Sequence, residues 1–501
     1  MFRFKSLKLH HQILLVLLTV FILQSTILLI KDPPIWPDEA IYADIAKNWI
    51  TDRRLGPDVW QDAYLGARQH FYSYPPTFLY LLTVWFKIFG FSIVNQRLLS
   101  LTISVAFAIV FFLFAKSFFK NNPLLFALLP LFTLTIDPFF SQSTRISRPE
   151  IVVIFFGTVS LLMLRIPSSP KTNLKVRGLA VICSGVFSSL AFLTHFIGGF
   201  FAFAIFIIFL IQERFKIFYS KKFYLYLLSF IFLPIVWGAS ILKDVETFKE
   251  QLFLFSGAVQ EYYPFVYKNL FHGDPTSQIL FIGYVSVSIT FVAYALLIRN
   301  INHLILATLI TVSWLVVTYG KEVWYFVYVT PFIYLAASVL LYELLRAKVK
   351  KSDLRHLTCE VSTASFIIVF MLNIFFNFNL ISNSVGDKNS YNLFVENILD
   401  KVPDNKTVFL SSIPDPYYGF KIRNPESKIY EFPVVRIKKE KFLKLLNDSD
   451  YIISNGIYND LMPDLPQYIS MNSAQISEIG GNNQYWAQII ELKPLNQRQM
   501  P

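Results

Sequence analysis

Long apolar runs, separated by short basic segments, dominate this sequence of 501 residues. A helix needs about twenty consecutive apolar residues to cross a bilayer, and about eleven segments approach that length. They cover residues 12–30, 97–115, 124–142, 150–165, 177–194, 197–212, 223–241, 278–298, 304–319, 325–345 and 361–381. Charged residues make up only 16% of the chain, whereas soluble proteins carry roughly a quarter. The sequence therefore predicts a polytopic α-helical membrane protein with about eleven transmembrane helices.

The distribution of basic residues predicts the orientation of these helices. If the N-terminus is cytosolic, most Lys and Arg residues fall in short cytosolic segments, and the short outer segments hold only Arg145, Arg148 and Lys321. An odd number of spans then places residues 383–501 on the extracytoplasmic side. The net charge of +12 follows from this asymmetry, so we expect membrane lipid as a partner and no nucleic acid.

Two regions follow from this topology. We expect residues 1–382 to form a transmembrane domain with long outer loops at 31–76 and 242–277, and long loops of this kind are usually functional. Within residues 383–501 hydrophobicity falls, and strands alternating with a helix predict a small soluble α/β domain. The predicted strands are 407–411, 428–432 and 451–454, and the predicted helix is 438–446.

The first outer loop carries the most distinctive pattern. Three prolines follow the first span, and the adjacent acidic residues Asp38 and Glu39 come next. Ile41, Ile45 and Trp49 then recur at helical spacing, which predicts a short amphipathic helix on the membrane surface. One interpretation is that Asp38 only caps this helix while Glu39 favours its dipole. The other is that the carboxylate pair is part of an active site.

Charged residues are rare at mid-depth in the predicted spans and collect at the outer face. This absence argues against an ion-coupled transporter, which needs a polar path through the bilayer. A ring of mixed charge at one water interface suits a site for a lipid-linked anion and a polar partner. The ring consists of Asp38, Glu39, Arg97, Arg145, Arg148, Glu150, Lys321 and Glu322.

Several motifs resemble those of the GT-C glycosyltransferases, in particular the branch of protein O-mannosyltransferases and lipid A aminoarabinose transferases. Residues 36–46, WPDEAIYADIA, resemble the first-loop motif of that superfamily. Weaker similarities occur in the same order at residues 74–100, 148–150, 192–195 and 321–331, and the resemblance covers roughly residues 10–345. Two positions depart from the branch: Tyr74 stands where His or Lys is common, and Glu150 replaces Asp.

The resemblance implies an inverting glycosyltransferase, either a hexosyl- or a pentosyltransferase. It would move a sugar from a polyprenyl-phosphate-linked donor to an acceptor hydroxyl at the outer membrane–water interface. Asp38 would be the catalytic base, and Glu39 and Glu150 would help to place the acceptor. Guanidinium and ammonium groups suit a phosphate. The candidates at the donor phosphate are Arg97, Arg148, Lys321 and Tyr74, and the further site candidates are Tyr42, His195 and Tyr325.

Other questions stay open in the sequence. A lipid-linked sugar flippase and a non-catalytic membrane assembly protein are the alternatives to an enzyme, and the acceptor could be a lipid, a protein or a glycan. His70, His195 and His272 lack the spacing of a zinc site, so we expect no cofactor, although a divalent metal remains possible. Because the chain lacks the long lumenal insert of eukaryotic mannosyltransferases, we expect the plasma membrane of a prokaryote and a role in protein glycosylation or the cell envelope.

Overall fold

The structure is a computed structural model that describes residues 9–61, 63–119, 124–165, 173–257, 275–319, 323–346, 354–386, 390–433, 437–459, 464–480 and 485–499. Helices joined by loops dominate the described part of the chain before residue 387. They are α1 (Leu9–Leu28), α2 (Pro37–Thr51), α3 (Pro76–Phe89), α4 (Ile93–Lys116), α5 (Leu124–Thr135), α6 (Pro138–Arg145), α7 (Glu150–Arg165), α8 (Leu174–Thr194), α9 (Gly199–Glu213), α10 (Lys221–Ile241), α11 (Val245–Gly257), α12 (Pro275–Ile298), α13 (Ile301–Tyr319), α14 (Thr330–Arg346) and α15 (Leu354–Gly386).

Among the described residues, eight helical segments are long and apolar enough to cross a membrane. The bent pair α5 and α6, which meet at 68°, makes nine if the pair is one span. The bend lies where Asp137 caps α6 immediately before Pro138. Helices α7 and α14, with 16 and 17 residues, cover two further predicted segments but are shorter than those eight. The predicted polytopic helical architecture is confirmed.

Helix α2 does not lie on an open surface, so the predicted amphipathic surface helix is wrong in this respect. Its polar residues face other parts of the protein: Asp44 is 1% exposed and Asn48 is 5% exposed. The Asn48 side-chain amide donates to the carbonyl oxygen of Gly56 at 2.9 Å, and Asp44 accepts a hydrogen bond from Tyr417 at 2.7 Å. Because these partners cover the polar face, both faces of α2 are buried.

The end of the chain forms the small α/β domain that the sequence predicts. Its five-stranded sheet has the order β2-β1-β3-β5-β4, in which β2, β1 and β3 are parallel and β5 is antiparallel to both β3 and β4. The elements are α16 (Tyr391–Leu399), β1 (Val408–Ser411), α17 (Tyr417–Arg423), β2 (Ile429–Glu431), α18 (Lys439–Asn447), β3 (Tyr451–Ser454), α19 (Asp464–Asn472), β4 (Ser473–Ile479) and β5 (Ala487–Leu492).

Candidate active site

A guanidinium group held between two carboxylates forms the centre of the site. Asp38 lies in the first turn of α2, and one of its oxygens pairs with Nη1 of Arg148. On the other side, Arg148 donates from Nε and Nη2 to Oε1 of Glu150 at 3.2 and 3.1 Å. The side chains of Asp38 and Arg148 are only 12% and 9% exposed, and that of Glu150 is 1% exposed. Two carboxylates and one guanidinium leave one negative charge in excess.

The local sequence explains why Arg148 occupies this position. Helix α6 ends at Arg145, and Ile146 is extended, so the backbone breaks before α7. Pro149 precedes Glu150, the first residue of α7, where an acidic residue is favoured by the helix dipole. Arg148 therefore lies in a short non-helical break between two helices. Its guanidinium packs over the ring of Trp324, 5.6 Å from the centroid, as in cation–π contacts.

Burial controls the electrostatics of the cluster. Burial raises the pKa of Asp38 above its ordinary value, and the attraction of Arg148 offsets this only in part. For Arg148, burial disfavours the charged form, but Glu150 and Asp38 together hold its pKa well above the ordinary value. Arg148 thus stays charged, whereas Asp38 takes up a proton more readily than an exposed aspartate does.

Aromatic side chains line the cluster. Tyr42 lies one turn after Asp38 on the same face of α2, and its ring packs against Tyr74 with a centroid distance of 4.8 Å. Burial raises the pKa of the Tyr74 hydroxyl well above its ordinary value, so Tyr74 is neutral. Tyr325 interacts electrostatically with Arg148, and its ring packs against that of Tyr328 with a centroid distance of 6.0 Å. Neutral hydroxyl groups therefore surround the charged centre.

His195 completes this side of the site. It follows α8, and its Nδ1 accepts the backbone N–H of Ile197 at 3.2 Å. Burial lowers the pKa of His195, and Glu150 and Arg148 are its electrostatic neighbours. The imidazole is therefore neutral. The structure thus brings together these predicted site residues: Asp38, Tyr42, Tyr74, Arg148, Glu150, His195 and Tyr325.

Glu39 and Arg97 form a separate pair that is completely buried. Arg97 donates from Nε and Nη2 to the two carboxylate oxygens of Glu39 at 2.9 and 2.6 Å. Its other N–H groups donate to the carbonyl oxygens of Leu29, Pro33 and Pro34 at 2.8, 2.8 and 3.1 Å. All five donors of a guanidinium are thus engaged. The predicted role of Arg97 at the donor phosphate is not supported, because the protein itself uses every donor.

Glu39 has a structural role in the same pair. Its carboxylate also accepts the backbone N–H groups of Ser147 at 2.9 Å and Trp36 at 3.1 Å. Its predicted role at the acceptor is therefore not supported either. The bond to Trp36 satisfies an N–H at the start of α2, so Glu39 rather than Asp38 caps this helix. The interpretation of Asp38 as only a cap thus has no support.

The remaining predicted residues lie elsewhere or outside the described ranges. Lys321 and His272 lie outside the residues that the structure describes. His70 stacks on Tyr72 at 4.0 Å, and burial lowers its pKa to about 4. Its electrostatic neighbour is Asp244, not the partners of His195. Within the described ranges, no group of three or more His, Cys, Asp or Glu residues could hold a metal ion.

Two aromatic residues near Arg148 were not singled out from the sequence. Trp324 packs on Arg148, and its ring also contacts Trp36 with a centroid distance of 5.6 Å. Tyr328 is completely buried, with Glu150 and Tyr325 as electrostatic neighbours. Both belong to the short 3-10 helix Val323–Tyr328, inside a block that already resembled the superfamily. That block was the available signal, but the spacing of its aromatic residues does not show which of them point to the site.

Comparisons with known proteins support a membrane glycosyltransferase fold. Residues 73–238 match the model of the PMT_2 family, dolichyl-phosphate-mannose-protein mannosyltransferase. The structure of ArnT from Cupriavidus metallidurans bound to undecaprenyl phosphate is similar, with a TM-score of 0.58, 12% identity, and coverage of 97% of this chain and 98% of that chain. The archaeal oligosaccharyltransferase AglB from Archaeoglobus fulgidus, in complex with an inhibitory peptide and a dolichol-phosphate, has a TM-score of 0.55 and 12% identity, with coverage of 93% and 73%. No curated protein matches.

The matched segments include most of the site. The family match contains Tyr74, Arg148, Glu150 and His195, whereas Asp38 lies upstream of it. The structural matches extend over nearly the whole chain, including the C-terminal α/β domain. The resemblance that the sequence motifs indicated is therefore confirmed at the level of the fold.

Proposed function

From the GT-C fold that this chain shares with membrane glycosyltransferases, we propose that it is an inverting glycosyltransferase. It moves a sugar from a polyprenyl-phosphate-linked donor to an acceptor hydroxyl at the outer membrane–water interface. The observation that carries this proposal is the cluster of Asp38, Arg148 and Glu150, which is partly accessible and lined with tyrosines. It combines a base for a hydroxyl with a cation for a phosphate.

Asp38 is the general base in this proposal. The leaving group is a phosphate, which is already an anion, so the reaction needs a base on the acceptor but no strong acid. A positioned base contributes typically about 10²–10⁴-fold to the rate. The raised pKa of Asp38 makes it a stronger proton acceptor than an exposed aspartate. Its side chain is 12% exposed, which leaves a route for the acceptor hydroxyl.

Arg148 binds the donor phosphate in this proposal. Glu150 accepts from its Nε and Nη2, which fixes the plane of the guanidinium and leaves Nη1 facing Asp38. A phosphate that takes over the bond from Nη1 releases the Asp38 carboxylate from its ion pair. The donor would therefore bind Arg148 and free the base in the same step.

Charge balance calls for a second cation at this position. The cluster has one negative charge in excess, and a phosphodiester brings another. We keep Lys321, which lies outside the described residues, as the proposed second cation at the phosphate. Two of the structural relatives were determined with undecaprenyl phosphate and with dolichol-phosphate, which supports a lipid phosphate as the donor class.

The proposal extends to the domains, the location, the sugar and the acceptor. We propose that residues 1–382 form the catalytic membrane domain and that residues 383–501 lie outside the cytosol. We also propose that the protein is located in the plasma membrane of a prokaryote. The sugar is a hexose or a pentose, and the acceptor is a lipid, a protein or a glycan.

The test is a comparison of the wild type with Asp38→Asn in lipid, using labelled polyprenyl-phosphate sugars. Asparagine removes the proton acceptor, while Arg148 keeps its partner Glu150, so the fold should be retained. We expect transfer to fall by about 10²-fold or more at saturating donor, with an unchanged melting temperature. Asp52→Asn is the matched control, because Asp52 lies at the other end of α2 and its side chain is 51% exposed.

Two outcomes would contradict the proposal. If the wild type releases labelled sugar from none of the donors tested, the protein is better explained as a flippase or an assembly protein. Retention of most of the activity by Asp38→Asn would remove Asp38 as the base and make Glu150 the next candidate.

A further inference from the structure

The C-terminal α/β domain places two adjacent tyrosines against the helix that carries Asp38. Tyr417 and Tyr418 begin α17, and they are 0% and 1% exposed although each carries a hydroxyl group. The Tyr417 hydroxyl donates to Oδ1 of Asp44 at 2.7 Å, and the Tyr418 hydroxyl bonds to Oε1 of Gln96. Buried hydroxyl groups are costly unless they are hydrogen-bonded, so these contacts fix how the domain sits on α2.

The two acceptors in turn hold the segment on both sides of the site. The Gln96 side-chain amide donates to the backbone carbonyl oxygen of Glu39 at 3.0 Å, and Glu39 is the residue next to Asp38. The second oxygen of Asp44 accepts the backbone N–H of Val59 at 3.1 Å, in the loop that follows α2. Each tyrosine is thus linked through one side chain to the catalytic helix or its flanking loop.

Two backbone hydrogen bonds also join the C-terminal domain to the first outer loop. The N–H of Asp415 donates to the carbonyl oxygen of Ile35 at 3.0 Å, three residues before Asp38. The N–H of Glu431 donates to the carbonyl oxygen of Val59 at 3.2 Å. Asp415 follows β1 and Glu431 ends β2, so the carboxyl ends of these parallel strands face the first loop.

We propose that the C-terminal domain positions Asp38 for catalysis, with Tyr418 and Tyr417 as the positioning residues. This inference rests on the proposed function of Asp38. Neither tyrosine contacts Asp38, and both act through the backbone and side chains of the first loop. A misplacement of about 1 Å at a reacting group can cost about 10²-fold in rate. A domain that holds residues 35, 39 and 59 at once therefore restricts the carboxylate to one position relative to Arg148.

Tyr418→Phe is the main test, performed on the full-length protein in lipid. The ring of Tyr418 packs 5.0 Å from Phe91, and phenylalanine keeps this contact while it removes the bond to Gln96. We expect kcat per mole of folded protein to fall by about tenfold or more, with little change in the donor KM. Tyr417→Phe removes the bond to Asp44 and should also lower kcat per mole of folded protein. It replaces Tyr418→Phe in the test if Tyr418→Phe folds poorly.

Tyr468→Phe is the matched control. Tyr468 is also completely buried in the C-terminal domain, but its hydroxyl faces Asn447 of the same domain at 3.4 Å. A merely structural role for Tyr418 would lower the melting temperature and the folded fraction of Tyr418→Phe without changing kcat per folded molecule. That result, or a wild-type kcat in both Tyr418→Phe and Tyr417→Phe, would overturn the inference.

A double variant distinguishes the proposed chain of contacts from a general loosening. Gln96→Leu breaks the same link at its other end, so Tyr418→Phe should add little to the loss of kcat in Gln96→Leu. Fully additive losses would contradict the link. An inactive wild type would mean that the proposed function fails. An active wild type with an inactive Asp38→Asn and a fully active Tyr418→Phe would mean that the inference alone fails.

Discussion

Removal of Arg148 should shift the pH dependence of sugar transfer. In the wild type, burial raises the pKa of Asp38 and the Arg148 guanidinium counteracts this rise. Arg148→Gln removes the counteracting charge, so the pKa of Asp38 rises further and a smaller fraction of the base is ionised at a given pH. We therefore expect Arg148→Gln to gain activity only at a higher pH than the wild type.

The structure sets the size of this shift. Asp38 has one charge-assisted contact to Arg148, and hydrogen bonds to charged groups are worth about 1.5–3 kcal/mol. Since about 1.4 kcal/mol corresponds to one pH unit, the acidic limb should move upward by about one to two units. Removing one member of a buried ion pair also costs about 3–5 kcal/mol of stability, and protonation of one carboxylate reduces that loss.

The assay is kcat/KM for the donor between about pH 5 and 9, because this ratio reports the pKa of the free enzyme, in which Asp38 still pairs with Arg148. Arg148→Lys keeps the positive charge, so the acidic limb of its pH profile should lie closer to that of the wild type. The two limbs should not coincide, because lysine lacks the planar guanidinium group. Arg145→Gln is the matched control, because Arg145 is a buried arginine that pairs with Asp32 instead. An acidic limb in Arg148→Gln that coincides with the wild-type limb would refute the assignment of Asp38 as the titrating base.

Two further predictions concern the C-terminal domain. Burial raises the pKa of Asp415 to about 7, and Glu431 is an electrostatic neighbour whose own pKa burial raises well above its ordinary value. Below about pH 4 both the folded and the unfolded state hold the proton, and between about pH 4 and 7 only the folded state does, so stability falls as pH rises through this window. The melting temperature of the wild type should therefore drop between about pH 4 and 7, and Asp415→Asn should flatten this drop; equal slopes would contradict it. Separately, a phosphatase fused after Ser390 should be active outside the cytosol, and an active cytosolic reporter at that position would reverse the proposed topology.

The sequence alone predicted the elements whose pattern is local. Apolar length predicted the membrane helices. The predicted strands 407–411, 428–432 and 451–454 correspond to β1, β2 and β3, whose residues are all buried. Strands β4 and β5 were not predicted. Strand β4 is largely exposed and lies at the edge of the sheet, where its pairing with β5 rather than its own composition stabilises it.

The candidate site was predicted in part, for a related reason. The adjacent acidic residues and the outer-face arginines are visible in the sequence, but their pairing is not. Arg97 and Arg148 were equivalent candidates for the phosphate, and the structure pairs Arg97 with Glu39 and Arg148 with Asp38. Successive residues on a helix point about 100° apart, so Asp38 and Glu39 face different neighbours.

Which neighbour each carboxylate meets depends on how α4, the break before α7 and the C-terminal domain pack around α2. The Asp44–Tyr417 bond joins residues 373 positions apart, and no local pattern in the sequence encodes it. The sequence thus determined the membrane class, most of the helices and a set of candidate site residues. Tertiary packing decided which of these residues are satisfied inside the protein and which remain available to a substrate, because burial and partner geometry are properties of the packed helices.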